Sequence, residues 1–218
     1  MKKIIFILVF IFLSATVVGI NYVRSFNTLT IKFSSKNTGL VVDVYNTGPD
    51  TVDEADQLIK KNLVAENITS EKKLRLKKGS YSVVSRKNDA YEQFNKKISL
   101  YQGSQEITVE SFFSQSNLDK LLAGEKSVIE ASLISKYPRI KGQYIFENES
   151  LFHFGDWYGT TLKYVSTDSN NSDTLVAVLK KEGNVWKVIT SPPNLFVSTK
   201  DHPEIPLDIA NELNQKVY

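Results

Sequence analysis

The chain has 218 residues, 41% of them apolar, with 27 Lys and Arg against 24 Asp and Glu and no cysteine. The surplus of +3 equals the charge of Lys2, Lys3 and Arg24, so the chain beyond residue 24 is balanced and lacks the broad basic field of a nucleic-acid binder. Without cysteine, disulfides, thiolate metal sites and thiol nucleophiles are excluded, and the folded part must be stabilised by its core.

Residues 4–23, opening on Ile4 and closing on Val23, are twenty in a row without a charge, fourteen of them Ile, Val, Leu or Phe. A helix of that length rises roughly 30 Å, the thickness of a hydrocarbon core, and those side chains favour insertion by on the order of 6 kcal/mol. Lys2 and Lys3 precede the run, which predicts a single-pass signal-anchor over residues 1–24 with a cytoplasmic amino terminus and an extracytoplasmic remainder at the cell membrane. A cleaved signal peptide begins in the same way and is the alternative. Against it, Val17 and Gly19 make a poor cleavage pair and the apolar run continues past the usual length of such a segment.

Residues 27–35 alternate, with Leu29, Ile31 and Phe33 on one side and Thr30, Lys32 and Ser34 on the other, the period of a half-buried strand. A turn at residues 36–39 predicts a returning strand over 40–45, closed by a second turn at 46–50. Residues 51–64 are open to two readings, a short amphipathic helix or an ordered connection, because Val52, Ala55, Leu58, Ile59 and Leu63 fall near helical spacing. Leu74 and Leu76 alternate with Arg75 and Lys77, and after Lys78-Gly79 the alternation resumes at Tyr81, Val83 and Ser85. Ile98 and Leu100, then Ile107 and Val109, flank Gln102-Gly103-Ser104 as a predicted hairpin. Short strands at this spacing predict a β-sandwich domain over residues 27–115.

The run Leu76-Lys77-Lys78-Gly79-Ser80-Tyr81-Ser82-Val83, followed by Ala90-Tyr91, Ile98-Ser99-Leu100 and Ile107-Thr108-Val109, resembles the PEGA-type and carboxypeptidase-regulatory-like β-sandwiches of bacterial surface proteins. Lys78 stands where that pattern has proline, Ala90 stands where it has glycine, and residues 51–70 are an insertion. The resemblance implies an accessory or spacer module and brings no catalytic residues with it.

Lys72, Lys73, Arg75, Lys77 and Lys78 place five positive charges in seven residues. As a functional feature they are a candidate contact for an anionic surface, either lipid or a teichoic-type polymer. The plainer reading makes them the solvated face of a strand whose Leu74 and Leu76 point inward, an edge kept from pairing by lysine.

Over residues 116–218 the pattern changes to helix, strands, helix. Leu118, Leu121 and Leu122 predict a short helical stretch ended by Gly124, and Ser127-Val128-Ile129-Glu130 is a capping-box pattern for a second helix that Pro138 must end. Four strands are predicted next: residues 144–147 and 151–154 about a turn at Asn148-Glu149, residues 157–165, and the doubly apolar Leu175-Val176-Ala177-Val178-Leu179. Glu182-Gly183-Asn184 returns the last of these into residues 185–190, and Pro206 opens a terminal helix bearing Leu207, Ala210, Leu213 and Val217. This order predicts a small α+β domain with both helices on one face of an antiparallel four-stranded meander. The hairpin from Gly183 to Ile189 is similar to the last hairpin of nuclear-transport-factor-2-like and cystatin-like domains.

The whole chain thus reads as an N-terminal transmembrane helix, a mainly-β sandwich and a small α+β domain. His153 and His202 have no ligand spacing around them, so no metal or other cofactor is expected, and no Ser-centred elbow, phosphate loop or dinucleotide fingerprint occurs. Asp156 beside Trp157 and Tyr158 is the one local group with binding character, an acid with two aromatics at a glycine-flanked bend; the structural reading has Asp156 in a turn and the aromatics in the core. The expected function is a membrane-anchored accessory or binding protein of the bacterial envelope, not an enzyme, whose partners are the membrane through residues 4–23 and a cell-wall polymer or envelope protein. The alternative is a cell-wall hydrolase or transferase acting through Asp156, Glu147 and Asp173.

Overall fold

The structure, a computed structural model, describes residues 25–47, 62–165 and 174–217. Among the described residues it is mainly β with two α-helices. The expected anchor over residues 4–23, residues 51–61 of the ambiguous stretch 51–64, and residues 167–173 lie outside the described residues; among the described residues no helix is long and apolar enough to cross a membrane. Two compact units form, one from the chain up to Asn88 with Gln93–Ser111, the other from Asp89–Glu92 with the chain from Phe112 onward.

The described residues of the first unit form seven strands: β1 (Phe26–Phe33), β2 (Val42–Asn46), β3 (Leu63–Ile68), β4 (Lys72–Lys77), β5 (Ser80–Ser85), β6 (Asn95–Ser99) and β7 (Gln105–Val109). They make a three-stranded sheet in the order β4-β1-β7 and a four-stranded sheet in the order β3-β2-β5-β6. Leu29, Ile31, Ile107 and Val109 of the first sheet and Val42, Val44, Val83 and Ile98 of the second are all buried, a sandwich-like arrangement with one apolar face per sheet. The hairpin expected over residues 98–109 and the return expected after the turn at 36–39 are crossings between sheets, and so is the turn at Lys78-Gly79. β1 and β2, β4 and β5, and β6 and β7 each lie in different sheets, and β7 pairs parallel with β1 through Ile31↔Ile107. Period-two alternation places the apolar face correctly in each strand but carries no information on which strand lies beside it.

Buried polar groups hold the link between β1 and β2 and, within the four-stranded sheet, the β3–β2–β5 region. Asn37, 4% exposed, donates Nδ2 to the Ser111 carbonyl at 2.6 Å and accepts from the Ser111 N–H at 3.1 Å. Asp43, also buried, accepts from Arg86 Nε at 2.8 Å and Nη2 at 3.2 Å, and from the Asn67 N–H at 2.9 Å. That last donor is on β3, a strand the sequence pattern did not announce: its register against β2 shifts twice, so its side chains do not alternate regularly.

The second unit is built on the antiparallel meander β8 (Tyr144–Phe152), β9 (Trp157–Tyr164), β10 (Thr174–Glu182) and β11 (Val185–Val188). Helix α1 (Gln115–Lys136) precedes it and helix α2 (Leu207–Gln215) follows it. The expected break at Gly124 does not occur. α1 runs through it as one helix from the Ser114 N-cap to Tyr137, where Pro138 stops it. An interior glycine costs about 1 kcal/mol against alanine, which the burial of Leu118, Ile129 and Leu133 along one continuous face outweighs.

Nor do both helices share a face. Leu118, Ile129 and Leu133 of α1 pack with Leu151, Tyr158, Leu162, Ala177 and Trp186, whereas Ile209, Ala210 and Leu213 of α2 pack with Phe152, Trp157, Val176 and Val178. The sheet is covered on both sides because β9 is buried at its first six positions and β10 at Val176 to Leu179, leaving neither face polar.

Candidate functional site

The described residues hold two groups with chemical potential, an edge strand of cations in the first unit and a set of buried polar contacts in the second. Among the described residues β4 pairs with β1 alone, at an edge of the three-stranded sheet. Leu74 and Leu76 are half-buried, while Lys72, Lys73, Arg75, Lys77 and Lys78 are all exposed. Alternation puts Lys73, Arg75 and Lys77 on the face away from the core. Their β1 partners on that face are Thr30, Thr28 and Phe26, and the Arg75 guanidinium lies 5.1 Å from the Phe26 ring centroid.

Charge is uneven along this strand. At its far end Glu71 adjoins Lys72, and Glu106, across from Thr30, is held by Lys32 at 2.7 Å. The hydrogen bond and charge of Glu106 raise the Lys32 pKa. At the near end Lys77 pairs with Phe26, and the Lys78 N–H donates to the Ser25 carbonyl at 2.9 Å. Among the described residues, no acid forms an ion pair with any of the five cations. The turn between β6 and β7 reaches the same end: Leu100 accepts Asn27 Nδ2 at 2.6 Å through its carbonyl and gives its N–H to the Gly79 carbonyl at 2.8 Å, leaving Tyr101 57% exposed beside it.

In the second unit, β8 is one strand with a bulge where a turn was expected. Asn148, at φ 51°, and Glu149 together oppose the single residue Thr160, since Glu147 pairs with Thr161 and Ser150 with Gly159. The extra residue turns Glu149 toward α1. There it accepts from Lys126 Nζ at 2.6 Å and from the Tyr158 hydroxyl at 2.8 Å. Burial first, and the Glu149 charge second, push the Tyr158 pKa well up, so this phenol stays protonated. On α1, next to Lys126, Glu125 accepts from Lys181 Nζ at 2.5 Å and from the Trp186 indole N–H at 2.8 Å.

Trp157 and Tyr158 are both buried and, as consecutive residues of β9, face opposite sides of the sheet: Trp157 in the core under α2, Tyr158 in the core under α1. They do not form one aromatic platform. Asp156 occupies the β8–β9 turn, where its carbonyl accepts the Lys181 N–H at 2.8 Å. Glu147 lies five residues before the end of β8, roughly 16 Å from that turn at strand rise, with Lys163 Nζ at 3.9 Å. The two acids are not brought together, and Asp173 is outside the described residues. Among the described residues no three His, Cys, Asp or Glu side chains are grouped as metal ligands.

His153, at φ 57° in the same turn, stacks on Phe112 at 4.2 Å between centroids, and its Nε2 lies 2.7 Å from Asp208 Oδ2 at the start of α2. Partial burial raises the Asp208 pKa, but the His153 hydrogen bond and charge and two backbone N–H groups outweigh it and hold the carboxyl below its ordinary value.

No family model and no curated protein matches the chain. Among solved structures it is similar to a DUF3823 family protein from Parabacteroides merdae, at 11% identity and a TM-score of 0.28, over 73% of this chain and 82% of that one.

Proposed function

We propose that this chain is a single-pass, membrane-anchored accessory or binding protein of the bacterial envelope, whose two extracytoplasmic units are non-catalytic modules. The observation that carries the reading is the abruptness of the change at residue 24. Twenty uncharged residues end at Val23, and β1 begins at Phe26 with Thr28, Thr30 and Lys32 alternating against Leu29 and Ile31, so within three residues the chain changes from the pattern of a membrane span to that of a half-buried strand. In this reading residues 4–23 span the bilayer, the first unit is a spacer module of the PEGA-type kind, and the second is a small α+β domain.

The way the acids of the second unit are used supports a binding role over catalysis. Glu125, Glu149 and Asp208 each hold a structural partner within 2.8 Å, and Glu147 and Asp156 lie apart on β8 and its turn. A carboxylate pair working on a glycosidic bond needs its two groups within about 10 Å of each other.

The test is fractionation of the full chain with a carboxy-terminal tag. The anchored reading expects the product in the carbonate-washed membrane pellet, an intact mass that includes residue 1, and a tag digested by protease added outside spheroplasts. A product that begins shortly after residue 19 and appears in the medium would favour the secreted alternative. Soluble cytosolic protein with its start intact would sink both.

A further inference from the structure

Resting on the anchored reading, we infer that the near end of the β4–β1 pair, with Lys77, Lys78, Arg75 and Tyr101, docks on anionic lipid headgroups of the bilayer that residues 4–23 span. The argument begins with reach. Only Arg24 and Ser25 stand between the apolar run and β1, and a chain extends at most about 3.6 Å per residue, so Phe26 lies within roughly 11 Å of the end of the run. The β1–β4 register then fixes what arrives there with it: Lys77 opposite Phe26, and Lys78 bonded to Ser25. These ammonium groups are therefore about one Debye length from the headgroup layer in physiological salt.

The chemistry of this end fits that surface. Arg75, Lys77 and Lys78 are exposed and form no ion pair among the described residues, whereas the acids Glu71 and Glu106 belong to the far end of the same sheet. Tyr101, 57% exposed in the turn beside Gly79, supplies an amphipathic ring of the kind enriched at membrane interfaces. Each Lys or Arg brought to an anionic membrane favours the bound state roughly fivefold. Contact of this kind would fix the tilt of the first unit on its short tether.

Because the chain contains no cysteine, a single Gln102→Cys substitution next to Tyr101 gives a unique dye site at the near end, and Ser35→Cys gives one at the far end of β1. The full chain is placed in phosphatidylcholine nanodiscs with or without about a third phosphatidylglycerol, a fraction set to give a strongly negative surface, and quenching by a headgroup spin label is read. The expected result is stronger quenching of the Gln102→Cys dye in the anionic discs, little at Ser35→Cys, and loss of the difference in high salt. Lys77→Gln with Lys78→Gln should lower the docked-to-free ratio on the order of 25-fold, twice the single-charge effect on a logarithmic scale; the salt titration of the Gln102→Cys dye leaves both lysines in place and decides the matter if that variant folds poorly. Equal quenching in neutral and anionic discs, or a dye response to soluble poly(glycerol phosphate) in place of anionic lipid, overturns the inference. Entry into the discs reports on the anchor by itself. If the chain stays out of them, the anchored reading fails, and co-sedimentation with anionic vesicles, sensitive or insensitive to the Lys77→Gln and Lys78→Gln pair, then supports or overturns the contact alone.

Discussion

A Cβ built on Gly159 would lie 2.5 Å from Leu213 Cδ1 and 2.7 Å from Cδ2, so β9 and α2 approach as closely as they do because this position has no side chain. Leu213 is fully buried and has no solvent to move into. Gly159→Ala should therefore force α2 outward or Leu213 off its rotamer, at a cost of about 1–3 kcal/mol. Urea midpoints of Gly159→Ala, Leu213→Ala and the double variant check this. The double variant should lose clearly less than the two single losses added together, and strict additivity would show that the two residues do not meet.

Glu125 serves two donors at once, Lys181 Nζ and the buried Trp186 indole N–H. In Glu125→Gln one acceptor oxygen remains and the new amide group confronts one of those donors. Leaving a buried donor without its acceptor costs about 1–3 kcal/mol. The expected signs are a lowered urea midpoint and a change in tryptophan emission that Trp186→Phe abolishes. An emission change that survives Trp186→Phe would mean that Glu125 acts on Trp157 and not through this bond.

Much of this architecture was legible in the residues, and the failures share one physical cause. Alternation and doubly apolar runs mark β1, β4, β9 and β10 and the inward face of each, because burial is a property of the residue itself. Pairing is a property of two distant segments. The turn after β6 therefore reads as a hairpin and the turn after β1 as a return, although each, like the turn after β4, carries the chain from one sheet to the other. Bulges defeat the pattern altogether: β3 shifts register against β2, and the extra residue at Asn148 sends Glu149 inward to Tyr158 where a surface turn was expected.

The same distinction applies to the candidate sites. Lys73, Arg75 and Lys77 on alternate positions show an exposed basic face directly, and among the described residues β4 stands at an edge of its sheet. Trp157 and Tyr158 show the reverse. Adjacent strand residues point to opposite faces, and that rule, applied to a strand already expected at residues 157–165, separates the two rings from the sequence alone. The Asp208–His153 contact spans 55 residues and had no local signal.

That contact gives an acid-side expectation. The folded-state pKa of Asp208 is depressed, so its contribution to stability is present above about pH 4, where an unfolded Asp titrates, and is lost as pH falls through the lower folded value. With its side chain 64% exposed the pair is well screened, and Asp208→Asn should cost under about 1 kcal/mol at pH 6. The stability difference between Asp208→Asn and the native chain should vanish near pH 2. A difference of the same size at both pH values would assign the effect to packing at the start of α2 and not to charge.

The Tyr158–Glu149 bond gives the alkaline counterpart, with the larger effect. Burial is the main cause of the raised Tyr158 pKa and the Glu149 carboxylate adds to it, so the folded state keeps this proton after the unfolded chain has lost it. A group with a raised folded pKa contributes stability in full below its unfolded value and loses it as pH rises. For a tyrosine the decline begins near pH 10, with a slope of up to about 1.4 kcal/mol per pH unit. Tyr45 and Tyr81 are also raised by burial, so the native chain should lose stability between pH 10 and 11 more steeply than one such group allows. Tyr158→Phe should cost about 1 kcal/mol at pH 8 through the lost hydrogen bond, yet make the alkaline decline shallower, so that the two stability curves converge as pH rises. Urea unfolding of both chains from pH 8 to 11 reads this directly. Parallel curves would mean that Tyr158 ionises as readily when folded as when unfolded, and that the hydroxyl is not enclosed between β9 and α1.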